Sequence, residues 1–520
     1  MNFFENLSNY WAFSIQERRR SAALDGAEGV WSYQQLDAKS NQVAHWLIDE
    51  GISKGDVVAI FNTKQYISYA TMLACLKIGA AYVNLDARNP LNRLTQILEQ
   101  CKPSIILGDG VLPENIQFLS KSGDYRFQSL TSIDFSIYSD FLPVLDYPLT
   151  GHAIAYIMFT SGSTGVPKGV AITHANLMSF IGWSVPHFNV CDRDRFAQLS
   201  PMYFDNSVFD YYTALFGGAC IVPIVHETLE DPVKLVRYVT KMRCTIWFSV
   251  PSLLVYLLSV KVFAQESLPD LRVLSFGGEG FPKRELKKLF MMFSSRARLV
   301  NVYGPTEATC ICSSYDITAE DFDDMQSLAP LGKINPNFDY LIINNASQVV
   351  CEGEKGELCL AGPNLSVGYY NDKVRTSQQF VQHPQITAYN ERVYKTGDLV
   401  YQKDGVLWFA GRIDNQIKHM GYRIELEEIE AALHSLDLVH QCAVIYHRVR
   451  DQHGILIGFV HPVNSSLTEA NIRDHLVDFL PAYMWPNQIV FLENLPKNAN
   501  GKVDRSALVQ KFLLGRSAPR

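Results

Sequence analysis

Residues Val57 to Asp86 read VVAIFNTKQYISYATMLACLKIGAAYVNLD. A short apolar, β-branched run, VVAIF, leads into a helical stretch, YISYATMLACLKIGA, and then into a second β-rich run, AAYVNLD. A helix-like NRLTQILEQC and another apolar run, SIILGD, follow. Strand, helix, strand, helix, strand at this spacing predicts parallel βαβ units. The pattern returns at IAYIMFTSG, GACIVPIV, CTIWFSV and LRVLSFGG, so the first four hundred residues predict an α/β architecture of the open, doubly wound kind.

From about Gly356 the texture changes. GELCLAG and LVYQKDGVLWFAG are short strands punctuated by turn signals such as Asp404-Gly405, which predicts a β-rich subdomain with hairpins. After GRIDNQIKHMGYRIELEEIEAAL comes an α+β tail of about a hundred residues, a domain-sized piece. The boundary is placed at Asp414, giving residues 1–413 and 414–520. At 520 residues the chain exceeds the usual size of one hydrophobic core, which agrees with at least two domains.

Bulk properties exclude several classes. Apolar residues make up 47% and charged residues 19%, enough apolar surface for packed layers and too little charge for disorder. A formal net charge of −7 offers no footprint for nucleic acid. No basic leader opens the chain and no run approaches a bilayer span, so no membrane insertion is expected and a cytoplasmic location is favoured. The ten cysteines include no CxxC pair, so reduced, mostly buried thiols are expected.

The apolar run IAYIMF is followed by TSGSTGVPKGV, Thr160 to Val170. Glycines and hydroxyl side chains leaving a buried strand suit a concave anion site. The P-loop pattern GxxxxGK[ST] fails, because Pro167 precedes Lys168 and Gly169 follows it, which disfavours a P-loop kinase or GTPase. Three further segments accompany it: NVYGPTEAT at 301–309, YKTGDL at 394–399 and PKNANGKVDR at 496–505. Each alone reads as a turn. In this order and at these separations they resemble the adenylate-forming enzymes, a superfamily of acyl-CoA synthetases, firefly-type luciferases and amino-acid adenylation domains. The resemblance runs from WSYQQLDAKSNQVAHWL to Arg505.

That resemblance implies a large N-terminal AMP-binding domain and a small mobile C-terminal domain, with ATP and Mg²⁺ as cofactors. A carboxylate would attack the α-phosphate of ATP, pyrophosphate would leave, and a thiol would then displace AMP. Thr160, Ser161, Gly162, Ser163, Thr164, Gly165 and Lys168 would cradle the β and γ phosphates. Thr306 would contact the α-phosphate, and Glu307 would hold the magnesium, a hard cation that takes oxygen ligands. Tyr303 would lie against the adenine with Asn301 at its edge, and Asp398 would accept the ribose hydroxyls beside Arg412. Lys502 would bridge the two anions as they close, where a fixed cation acts chiefly on the transition state. Asp414 would be the hinge that withdraws Lys502 and brings in the Lys418–Arg423 loop, and Gly421 would let a pantetheine arm pass.

FDNSVFD, Phe204 to Asp210, bears on the acid. Amino-acid adenylating members carry Phe-Asp-x-Ser, whose aspartate pairs with the substrate amine, and Asp205 holds that position. A substrate without the amine would leave a buried carboxylate unpaired. The remaining pocket positions by resemblance are Asn206, Phe209, Ser249, Ser275, Gly277, Val302, Cys310 and Ile311. None is charged, which favours a neutral side chain. Phe209 intrudes on the pocket, while Ser249, Ser275 and Gly277 leave space.

The expected activity is that of a stand-alone nonribosomal-peptide-type adenylation enzyme. It would adenylate a neutral amino acid and pass it to the phosphopantetheine thiol of a separate carrier protein. A D-alanine:carrier-protein ligase is the alternative, although that subgroup typically has cysteine where Gly277 stands, a residue tied to choosing the D enantiomer. An acyl-CoA synthetase is the less favoured third. Lys502→Ala is expected to abolish adenylation while leaving ATP binding intact; near-normal pyrophosphate exchange in that variant contradicts the assignment.

Overall fold

The computed structural model describes residues 4–110, 125–162, 164–264, 266–447, 454–497 and 503–517. They form two compact units. The first comprises residues 1–87, 100–158 and 169–413; the second comprises 88–99, 159–168 and 414–520.

The first unit is built on two large mixed sheets and a smaller antiparallel one. In one sheet the strands Ala81–Leu85, Val57–Phe61 and Ile105–Gly108 lie side by side and parallel. All five residues of Val57–Phe61 are buried, the pattern of a strand covered on both faces. The helix Tyr66–Ile78 that joins two of these strands is buried almost all round, so it sits inside the layers, not at their surface. It ends on Gly79 at φ +74°, the left-handed turn that glycine takes most cheaply.

Within this interior, Lys77 is only 2% exposed. Its ammonium meets Asp37 Oδ1, Ser40 Oγ and Asn41 Oδ1, each at 2.6 Å. Burial lowers its pKa and Asp37 offsets that shift, so the charge pins Tyr33–Asp49 to Tyr66–Ile78 and is itself satisfied. The former helix opens with a capping box between Ser32 and Gln35.

The nine-stranded sheet runs Ile246–Ser249, Val273–Gly277 and Arg298–Tyr303 in parallel. It then turns antiparallel at Ser313–Asp316 and Lys333–Ile334. Alternating strand and helix texture predicts the parallel centre; the antiparallel margins come from short edge strands with too few residues to show a period. The smaller sheet holds Gly356–Ala361, Arg392–Lys403 and Val406–Arg412. Its hairpin closes through Asp404 and Gly405, both at positive φ, as an Asp-Gly turn does.

In the second unit, Gln416–His419 pairs with Tyr422–Glu425. Met420 at φ 51° and Gly421 at φ 83° make the two-residue turn between them. Behind it lie the helices Leu426–His434 and Glu469–Phe479 and the three-stranded sheet of Val439–His447, Ile455–Pro462 and Gln488–Phe491. Arg505 ties its helix to Glu430 at 2.7 Å. Among the described residues no helix is long and apolar enough to cross a membrane.

One core histidine gives the first unit a pH dependence. His174 is fully buried, its Nδ1 accepts the Leu7 amide at 3.1 Å, and burial lowers its pKa from 6.5 to about 3. Above pH 6.5 both folded and unfolded forms are neutral and nothing is lost. Below it the unfolded chain takes up a proton that the native chain refuses, so stability falls as pH drops. The cost is about 1.4 kcal/mol per pH unit, or about 2 kcal/mol from pH 6.5 to 5. In urea melts at both pH values, wild type is expected to lose that much more stability than His174→Gln; parallel losses contradict it.

Candidate active site

Three adjacent parallel strands of the first unit, Ile246–Ser249, Val273–Gly277 and Arg298–Tyr303, carry Ser249, Ser275, Gly277, Asn301, Val302 and Tyr303 toward their C-terminal ends, the edge at which open α/β sheets bind ligands. The chain leaves the last strand through Gly304-Pro305 and enters a 3-10 turn, Thr306–Ala308. A Cβ on Gly304 would lie 2.2 Å from the Cys310 carbonyl oxygen, so only glycine fits. Thr309 and Cys310 then both adopt positive φ, 53° and 74°. Consecutive non-glycine residues in that region are uncommon and mark stored strain. The Thr309 hydroxyl holds the turn by donating to Asn364 O at 2.6 Å.

This turn aims three side chains. The Tyr303 hydroxyl donates to Asp398 Oδ2 at 2.5 Å, and Arg412 Nη1 donates to Oδ1 at 2.6 Å. Asp398 and Arg412 face each other across a hairpin. The Asp398 carboxylate is 4% exposed. Burial, then the charge of Asp398, pushes the Tyr303 phenol far above its ordinary pKa, so it stays a donor. Each carboxylate oxygen offers about two acceptor sites, which leaves one per oxygen for a vicinal diol. Asn301, also buried, donates to Pro330 O at 2.7 Å and so fastens the loop beneath the tyrosine.

Thr306 Oγ1 donates to Asp205 Oδ2 at 2.5 Å. The structure thus brings together two residues a hundred positions apart. Asp205 sits where it could cap the short helix Asn206–Val208, but its side chain makes no cap. Glu307 is fully buried and accepts the Tyr369 hydroxyl at 2.8 Å. Sequence reasoning missed Tyr369, which lies in VGYYND with no motif to flag it.

The other pocket positions are packed. Phe209 is caged by Phe188, Phe196 and Phe248, with ring centroids 4.9, 5.6 and 5.3 Å away. Ser249 accepts Trp247 Nε1 at 2.8 Å, and Ser275 Oγ lies 3.3 Å from Val300 O. Val302, Cys310 and Ile311 are buried, and Asn206 is half-buried. A Cβ on Gly277 would meet Val302 O at 2.3 Å, so its lack of a side chain closes two strands and does not open space. Burial, then Asp205, raises the Cys310 pKa, so the thiol stays protonated.

The glycine loop belongs to the second unit. Ser161 Oγ donates to Arg423 O at 2.7 Å, the Gly162 amide donates to Glu428, and Lys168 faces Glu425. Glu428 also pairs with Arg93. Thr160 is half-buried and Thr164 exposed, and Gly165 takes φ +80°. In the same unit, Lys418 lies opposite Arg423 in the hairpin, and Asp414 Oδ1 accepts the Gln416 amide at 3.2 Å. Ser163 and Lys502 lie outside the described residues.

Comparison with known proteins identifies the family. Residues 12–370 match the AMP-binding enzyme family and residues 428–502 match the AMP-binding enzyme C-terminal domain. The chain is 32% identical over 509 residues to a D-alanine--D-alanyl carrier protein ligase of Bacillus cytotoxicus, covering 95% of this chain and 98% of the relative. It is 33% identical to one from Listeria monocytogenes, covering 92% and 93%. Among solved structures, the Vibrio cholerae adenylation domain AlmE, in complex with glycyl-adenosine-5'-phosphate, is similar at a TM-score of 0.82 and 25% identity over 99% of each chain. PA1221, a protein containing adenylation and PCP domains, is similar at 0.83 and 26%, covering 98% of this chain and 84% of the other. This chain belongs to the AMP-binding enzyme family and is an adenylate-forming ligase.

Proposed function

We propose that the chain activates a small neutral α-amino acid as its adenylate and passes it to the phosphopantetheine thiol of a separate carrier protein, with D-alanine the first substrate to test. The observation that carries this reading is the pairing of Asp205 with Thr306, one turn after Tyr303 reaches Asp398. A single strand end thereby offers an acceptor for an ammonium group and, beside it, an acceptor for a diol. An aminoacyl-adenylate carries both groups at its two ends. The names of the curated relatives support the carrier-protein acceptor and D-alanine. Gly277 supports the second reading, a stand-alone nonribosomal-peptide-type enzyme: a cysteine there needs the backbone to move away from Val302 O.

Within this reading the residues divide the work. Asp398, held by Tyr303 and Arg412, binds the ribose. Thr306 meets the α-phosphate, and its bond to Asp205 sets the distance between phosphate and amine. Asp205 is the counter-ion of the substrate ammonium, and an acid lacking that group forgoes the ion pair and binds more weakly. Magnesium fits this site on one count: Glu307 is a buried carboxylate oriented by Tyr369, and no cluster of three metal-binding side chains exists among the described residues. One carboxylate plus substrate phosphates is an ordinary magnesium site. When bound, the ion supplies charge neutralisation at the phosphates.

Amino-acid-dependent exchange of pyrophosphate into ATP tests the reading. Asp205→Ala is expected to raise KM for the amino acid by roughly 30- to 1,000-fold, the loss of about 2–4 kcal/mol from a charge pair that the bound substrate completes and covers, with little change in KM for ATP. Asp398→Asn is expected to show the reverse selectivity, raising KM for ATP and sparing the amino acid. Equal effects on both substrates from either variant contradict the division of labour.

A further inference from the structure

Asp205 stands at the end of an irregular segment, residues 199–204, that leaves the strand Arg195–Gln198. Such a segment has no strand ladder to hold it, so its carbonyls need partners elsewhere. Side chains supply most of them. Lys64 Nζ donates to Gln198 O at 3.0 Å, to Leu199 O at 2.9 Å and to Ile224 O at 2.7 Å. Gln198 Nε2 donates to Ser200 O at 2.5 Å, and Asn84 Nδ2 donates to Met202 O at 3.1 Å. Just past Asp205, the Ser207 hydroxyl donates back to Phe204 O at 2.7 Å.

Two of these donors come from the other large sheet. Lys64 follows the strand Val57–Phe61 and Asn84 lies within Ala81–Leu85, both of the seven-stranded sheet, whereas the segment they grip leaves a strand of the nine-stranded one. Asn62 links the pair: its Nδ2 donates to Asn84 Oδ1 at 3.0 Å, and its Oδ1 accepts the Lys64 amide at 2.9 Å. Lys64 is only 7% exposed, a setting in which charge-assisted bonds are strong. It also holds φ 71°, the left-handed region that a non-glycine residue keeps only when its surroundings over-determine it. Lys77, by contrast, binds side chains of the neighbouring helix. The Lys64 ammonium binds the backbone that leads to the amine-binding carboxylate.

We infer that Lys64 and Asn84 are positioning residues for the amino-acid site: from one sheet they fix the path of residues 199–204 on the other, and thereby the place of Asp205 opposite the substrate amine. This deepens the amino-acid reading above and rests on it. Asp205 is located from two directions, its backbone through the lysine and asparagine and its side chain by Thr306 at 2.5 Å. Loss of either donor lets the segment drift, and a displacement of about 1 Å at a binding group costs up to about a hundredfold. The loss falls on the amine, because Tyr303 and Asp398, which read the ribose, stand on other strands.

Calorimetric titration separates this role from a merely structural one, using an alanyl-adenylate analogue with a sulfamate in place of the phosphate and the same molecule without its α-amine. In Lys64→Met, which keeps the length of the side chain and removes the charge, the preference for the amine-bearing analogue is expected to fall by roughly tenfold or more. Affinity for the amine-free analogue is expected to change little. Asn84→Ala removes a single donor and decides the matter should Lys64→Met fail to fold; it is expected to lower the preference several-fold. Lys77→Met is the control for losing a buried ammonium in the same unit, and is expected to lower thermal stability and keep the preference. A preference unchanged in the Lys64 and Asn84 variants, an equal loss of affinity for the two analogues, or an equal fall in Lys77→Met overturns the inference and leaves the amino-acid reading standing. Wild type that binds the two analogues equally overturns both.

Discussion

Gly304 has no room for a side chain, because the Cys310 carbonyl oxygen stands 2.2 Å from where a Cβ would be. The site in the first unit depends on that closeness. The chain leaves a buried parallel strand, doubles back within seven residues and holds two non-glycine residues at positive φ. From that one turn Tyr303 reaches Asp398, Thr306 reaches Asp205 and Glu307 reaches Tyr369. Their three partners come from distant parts of the chain and from different sheets or loops. A larger residue at 304 would push the turn outward and disturb all three pairs at once.

Electrostatics then assigns work to pairs placed by geometry. Asp398 is buried but held by an arginine and a phenol, so its charge is supported and its remaining lone pairs are oriented. Asp205 accepts the Thr306 hydroxyl, a neutral donor that orients the carboxylate without cancelling its charge. Lys77 shows what a purely structural buried charge looks like in the same unit: three short bonds to its own neighbours.

Much of this was legible in the sequence, for identifiable reasons. The parallel core shows because Val57–Phe61 is apolar throughout and its connecting helix is long. The smaller sheet shows through Asp404-Gly405, a turn with a mechanism. The family shows through widely spaced segments, and Asp205, Thr306, Asp398 and Arg412 were named from them. Tyr369 was not named, because a tyrosine in VGYYND has no local signature; its bond to Glu307 is a property of the folded chain. Gly277 was read as space, and the packing of Val302 O against its α-carbon reverses that meaning.

The central claim is that one strand end reads both ends of an aminoacyl-adenylate. Calorimetric titration with two non-hydrolysable analogues tests it most directly: alanyl-sulfamoyl-adenosine and its propionyl counterpart, which differ only in the α-amine. The account predicts that the amine-bearing analogue binds wild type tighter by at least roughly thirtyfold, the worth of about 2 kcal/mol, and that Asp205→Ala abolishes the difference. Equal affinities in wild type would contradict it.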